Sequence, residues 1–114
     1  MKKTPQKNQF KKIVAILFIN VVILSYIGLQ TDDERYQDAL DAYQDQNFTK
    51  TFNIMSSLAG KESPDAEYFL STLYAKGHGV QADKKLAASW LEKAAKHGSK
   101  DAKESLKNNT IPVN

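Results

Sequence analysis

Apolar and polar positions change rhythm twice along this chain. Residues 13–29, IVAILFINVVILSYIGL, are apolar for 17 positions, broken only by Asn20, Ser25, Tyr26 and Gly28. At about 1.5 Å per residue the run makes a helix of about 26 Å, near the lower limit for a hydrocarbon core of about 30 Å, and predicts a membrane-inserted segment. Beyond it, apolar residues return at helical spacing. Tyr36, Ala39, Leu40 and Tyr43 form a stripe, with Asp32 or Asp33 as N-cap and an end near Gln46. Asn47 then caps a helix carrying Phe48, Phe52, Met55 and Ala59, which ends at Gly60. Ser63-Pro64-Asp65 offers a cap, a proline at the first helical position and an acid in the first turn, opening a third helix to about Lys76. Asp83 caps a fourth helix containing Trp90, a fifth runs from about Lys100 to Lys107, and residues 108–114 read as a flexible tail.

Residues 66–106 follow the tightest pattern, in which Ala66, Leu70, Tyr74, Gly77, Gly79, Val80, Asp83, Ala87, Trp90, Ala94, Ala95, Gly98 and Ala102 stand at fixed intervals. Alanines at 87, 94 and 95 let helices approach closely, and Trp90 fills the space that small residues leave. This series resembles a Sel1-like repeat, a tetratricopeptide-type helix pair, over one full unit. Two positions depart from the repeat: Ser71 stands where a small glycine usually follows Leu70, and Lys107 stands where a further unit would have that glycine again. The second departure predicts that the array stops there. The resemblance implies a scaffold or adaptor that binds another protein and carries no catalysis of its own.

A weaker internal repeat appears when Ala95 is laid on Ala59, for Ala102 then falls on Ala66, Trp90 on Ile54 and Leu91 on Met55, at a period of 36. The expected fold is therefore all-α: a cytoplasmic basic tail (1–12), a transmembrane helix (13–29), and a Sel1/tetratricopeptide-like solenoid (32–107) of about two hairpins plus a terminal helix. A solenoid buries its core by stacking and usually needs about three units, so this one is expected to be marginal. A fully buried Trp90 would then contribute about 3–5 kcal/mol.

Charge sharpens the membrane reading. The net charge of +3 comes from the first thirty residues, which hold Lys2, Lys3, Lys7, Lys11 and Lys12 and no acid; the remainder, with 11 basic and 13 acidic residues, carries −2. The basic pI is thus a property of the tail and gives no support to nucleic-acid binding. Lysines before an apolar span stay on the cytoplasmic side, which puts the repeats on the far side, the periplasm if the source is bacterial. A cleaved signal peptide is the competing reading, but no pair of small residues marks a cleavage site: Tyr26 precedes Gly28, and Ile23 precedes Ser25. Within the repeats the first part is acidic and the last part basic, so copies can attract one another head to tail as a homo-oligomer. There is no cysteine, hence no disulfide, thiolate metal site or lipoprotein processing.

Candidate chemistry is sparse. Gly77 and Gly79 flank His78, yet no preceding strand, third glycine or Gly-Lys-Ser/Thr accompanies them, so they serve the backbone and not a phosphate. His78 and His97 lack a second ligand at metal-binding spacing, and His97 reads as a helix-terminal residue suited to the dipole. No catalytic set, cofactor site or metal site is expected. The better functional lead is the aromatic row Tyr36, Tyr43, Tyr68 and Tyr74 with Phe69, of which Tyr43 and Tyr74 match core positions of the repeat and Tyr68 and Phe69 are the candidate partner contacts. The leading expectation is a membrane-anchored, periplasm-facing interaction module or adaptor. Small anchored proteins of this kind resemble immunity-type inhibitors of a toxic effector. The alternative is an exported cell-envelope enzyme, such as a cell-wall hydrolase or beta-lactam-binding protein.

Overall fold

The computed structural model describes residues 6–26 and 30–111. The chain divides into two units, residues 1–31 and 32–114. In the first, α1 (Gln6–Tyr26) is a helix of 21 residues, about 31 Å long. It starts seven residues before the apolar run because Lys11 and Lys12 are good helix formers and continue the same ladder. Residues 27–29 of the expected span lie outside the described residues. From Phe10 to Leu24 its large apolar side chains are about half exposed or more. Asn8–Ser25 is long and apolar enough to cross a membrane, as an anchor or a signal sequence would be.

The second unit holds α2 (Asp32–Gln44), α3 (Phe48–Ala59), α4 (Pro64–Lys76), α5 (Lys84–Lys96) and α6 (Lys100–Lys107). Local sequence accounts for most starts. The Asn47 side chain accepts from Lys50 N at 3.3 Å, Asp83 accepts from Lys85 N and Leu86 N at 3.0 Å each, and Ser99 Oγ accepts from Ala102 N at 3.2 Å. Two expectations need correction. Asp32 and Asp33 lie inside the first turn of α2, so they complement the dipole there and the chain position before the helix is Thr31. Ser63 occupies the cap position of α4, but its hydroxyl makes no capping bond; Pro64 supplies the preset first turn.

Helix ends share one device. Gln46, Glu62, Gly77, Gly98 and Asn109, each shortly after a helix, all have positive φ. At all five the next residue's amide reaches back five positions: Asn47 N to Ala42 O, Ser63 N to Leu58 O, His78 N to Leu73 O, Ser99 N to Ala94 O and Thr110 N to Ser105 O, at 2.8–3.4 Å. These are Schellman closures, which satisfy the orphan carbonyls of the last turn. Gly60 is the C-cap that ends α3, as expected, but at φ −63° it stays right-handed, and the reversal falls on Glu62. The last of these bonds folds residues as far as Thr110 back over the end of α6.

Each helix packs mainly on its chain neighbours, as in a solenoid. Met55, Leu58, Leu70 and Leu73 fill a core between α2, α3 and α4, with Ala39, Ala59 and Ala66 giving close approach. A smaller cluster of Leu91, Ala94 and Ala102 joins α5 to α6, with Tyr68 against it. The 36-residue offset is visible in the helices themselves: α3 and α5 begin at 48 and 84, α4 and α6 at 64 and 100. Thr51, the counterpart of Ala87, keeps its buried hydroxyl satisfied by donating to Ala39 O at 3.2 Å or Asn47 O at 3.1 Å.

Candidate partner-binding face

The longer linker between α4 and α5, residues 77–83, is where the second hairpin departs from the first. Gly79 (φ 75°) brings its backbone against α3, where an added Cβ would stand 2.1 Å from Phe48 O. Val80 beside it is partly buried. The turn thereby delivers His78 to the first hairpin: its ring stacks on Phe48 with centroids 4.1 Å apart, and Nδ1 lies 3.1 Å from Tyr43 Oη. His78 is therefore a packing residue that ties the hairpins together.

The repeat positions read from the sequence mostly lie inside. Ala66, Leu70, Ala87, Ala94 and Ala102 are buried, and Ala95 is partly so. Tyr74 stands edge-on to Phe52, with centroids 5.6 Å apart. Trp90 is only partly buried; it packs on the main core while Lys93 Nζ lies 4.7 Å from its ring centroid. Its contribution falls accordingly to about 2–3 kcal/mol. Ser71, at the position where the repeat usually has glycine, holds a buried hydroxyl with no hydrogen-bond partner among the described residues.

The largest surprise is Glu67. On the polar side of α4 by sequence, its side chain is fully buried, and both carboxylate oxygens lie 2.8–2.9 Å from His97 Nδ1, with Lys93 Nζ at 3.8 Å. His97 is thus more than a helix-terminal residue: it holds α4 to the end of α5 across 30 positions of sequence. Nothing local announces this pair. A burial-compatible acid on α4 and a histidine at the end of α5 become partners only once the helices pack. No group of His, Cys, Asp or Glu suited to hold a metal ion occurs among the described residues.

The two candidate contact residues separate. Phe69 packs against the main core and meets Tyr43 edge-on at 5.3 Å, while Tyr68, partly buried, keeps its ring at a surface depression. That depression, about 240 Å³, lies between α4 and α6 and is lined by Tyr68, Asp101, Glu104, Ser105, Asn108 and Thr110. A second, about 310 Å³, is lined from α2 by Asp32, Asp33, Tyr36 and Gln37, with Leu58, Ser63 and Asp65. Tyr36 lines the second only. Burial raises its phenol above the usual tyrosine value, and the charges of Asp65 and Asp101 add to the shift. The result is two tyrosine-bearing depressions rimmed by acids, one formed by α2 with the start of α4 and one between α4 and α6. Tyr36 belongs to the aromatic row that the sequence offers as a binding lead, whereas Glu67 and the acids lining the depressions carried no such signal.

Comparison with known families matches residues 64–99, from the first turn of α4 through the close of α5, to the Sel1 repeat. No curated protein and no solved structure matches the chain. The matched segment holds the αL turn at Gly77, the close approach at Gly79, the Asp83 cap and the buried Ala66, Ala87 and Ala94, so α4 and α5 with the turn between them make one Sel1 repeat unit within this chain.

Proposed function

We propose that this chain is a membrane-anchored interaction module that binds another protein through the α2–α4–α6 face. The Sel1 repeat is a protein-interaction module, and the observation that carries the reading here is that face: Tyr36 and Tyr68 beside depressions of about 310 and 240 Å³, with Asp33, Asp65, Asp101 and Glu104 making no ion pair among the described residues. Tyrosines of this kind are favoured anchors, since a ring on two rotatable bonds gives contact area at low entropic cost. Phe69, turned into the core, supports the face from beneath, so contact falls to Tyr68. The apolar α1 and the five lysines near it support a single span with a cytoplasmic N-terminus and a far-side repeat unit, which in a bacterium is periplasmic. A short binder without chemistry of its own suits an adaptor or an immunity-type inhibitor.

A photo-crosslinking amino acid placed at Tyr68 in the full chain, in its native membranes, tests this. The expected result is one dominant adduct, weakened by Tyr36→Ala. Adducts no more abundant than those from the same probe at exposed Lys84 would overturn the assignment of the face.

A further inference from the structure

Among the described residues, α6 packs through Ala102 on a cluster that α5 and Tyr68 of α4 share with it. Lys100, Lys103, Lys107 and Leu106 stay exposed, Leu106 at 41 %. The three lysines recur at i, i+3 and i+7, one stripe about 10 Å long, and none makes an ion pair among the described residues. The first helix of the unit presents the complement. Asp33, Gln37 and Asp41 recur at i, i+4 and i+8 along α2, all exposed, over about 12 Å. Other acids of α2 are already used, Asp32 by Lys61 at 2.6 Å and Asp38 by Lys50 at 2.7 Å, whereas Asp33 and Asp41 have no such partner among the described residues. α2 carries five acids and one arginine, and the segment Lys84–Lys107 seven lysines and three acids, so the two ends of the helix row differ as −4 and +4.

We propose that this chain associates head to tail, the open face of α6 in one copy seating α2 of a second copy, with Lys103 and Lys107 against Asp33 and Asp41 and Leu106 covered between them. The occupant is a second copy because both complementary stripes stand on this chain, at opposite ends of one row of helices, and because their lengths agree. The contact is heterologous, leaving each copy one free end. Exposed ion pairs are individually weak, so the association is salt-sensitive and strengthens where copies share one membrane and meet at a raised effective concentration. It is argued without the partner reading above, but it shares Asp33 and Gln37 with that face, so the two contacts compete for this part of α2.

The absence of cysteine makes the test direct. Full-length Gln37→Cys and Leu106→Cys chains are mixed in an excess of detergent micelles at low salt and treated with a short bismaleimide. The mixture should form a crosslinked pair that neither chain forms alone. Adding Lys103→Glu and Lys107→Glu to the Leu106→Cys chain should lower the yield about tenfold, and Asp33→Lys with Asp41→Lys on the Gln37→Cys chain should restore it. That restoration also shows that the reversed chains are folded. Crosslinking of like chains as strong as that of the mixture, a yield indifferent to charge reversal, or no crosslink in the mixture would each overturn the proposal. Partner capture through Tyr68 is read in the chain carrying only Lys103→Glu and Lys107→Glu, which leaves Asp33 in place, so failure of either idea is distinguished from failure of the other.

Discussion

Removing the His97 imidazole should do more damage than its position at a helix end suggests. Glu67 is fully buried, and apart from His97 at 2.8–2.9 Å only Lys93 Nζ, at 3.8 Å and on a half-exposed side chain, is near its carboxylate. Breaking a buried pair by deleting one partner typically costs about 3–5 kcal/mol, because the other charge stays desolvated. Here His97 is a quarter exposed and Lys93 can close part of the gap, which brings the expected cost of His97→Ala to about 2–3 kcal/mol. A repeat unit of about 80 residues has only a few kcal/mol to lose, so the melting point should fall by about 10–20 °C. Thermal unfolding of the full chain in micelles, followed by circular dichroism, reads this as a shift of the repeat transition over a constant contribution from α1. Glu67→Gln in the same background removes the stranded charge and should recover at least a third of the loss. A shift below about 3 °C, or a double variant no better than His97→Ala, would refute the account of Glu67 as a buried charge dependent on His97.

Gly79→Ala should destabilise by about 3 kcal/mol or more, since its Cβ would overlap the Phe48 carbonyl; Gly98→Ala, with nothing within 4 Å, should lose only about 1 kcal/mol to its positive φ, and urea midpoints of the two variants give the contrast. Glu62→Gly should raise stability by about 0.5–1 kcal/mol, because Glu62 holds the reversal after α3 at φ 60° where glycine is at ease. Tyr36 has its pKa raised in the folded state, so its contribution is fully present below pH 10 and is lost as pH rises through the folded value; Tyr36→Phe should flatten the alkaline decline of the melting point above pH 10 and leave the curve below it unchanged in shape. Topology is checked with single cysteines: in intact cells an impermeant maleimide should label Lys61→Cys and not Lys3→Cys, and the reverse pattern would overturn the far-side placement of the repeats.

The elements of this protein were legible because their signals are local. Asn47, Pro64, Asp83 and Ser99 act within three or four residues of themselves, through amides that are unsatisfied in any first turn, and the helix starts follow from them. The buried alanines and the 36-residue offset follow from helical periodicity, and the apolar ridge of α1 from composition alone. The exceptions have equally physical causes. Which of Gly60 and Glu62 turns the chain after α3 depends on where Ser63 N can reach Leu58 O, and glycine content does not decide that. Phe69 and Tyr68 are adjacent in sequence, yet one supports Tyr43 and the other opens to a depression, because the rotation of α4 is set by the helices on either side of it. Whether Trp90 is buried is likewise a matter of packing, which leaves it partly exposed with Lys93 over its ring.

Taken alone, the amino-acid order determined the helices, their caps, the repeat and the one segment suited to a bilayer, all of which rest on contacts within a turn or two of the backbone. Only packing decided that the buried Glu67 side chain meets His97, that His78 bridges two hairpins, and that Tyr36 lines a depression with Asp65. Those pairings join residues about 30 or more positions apart. Their energies depend on burial and on distances of a few ångströms, quantities that exist only after the helices have been laid side by side.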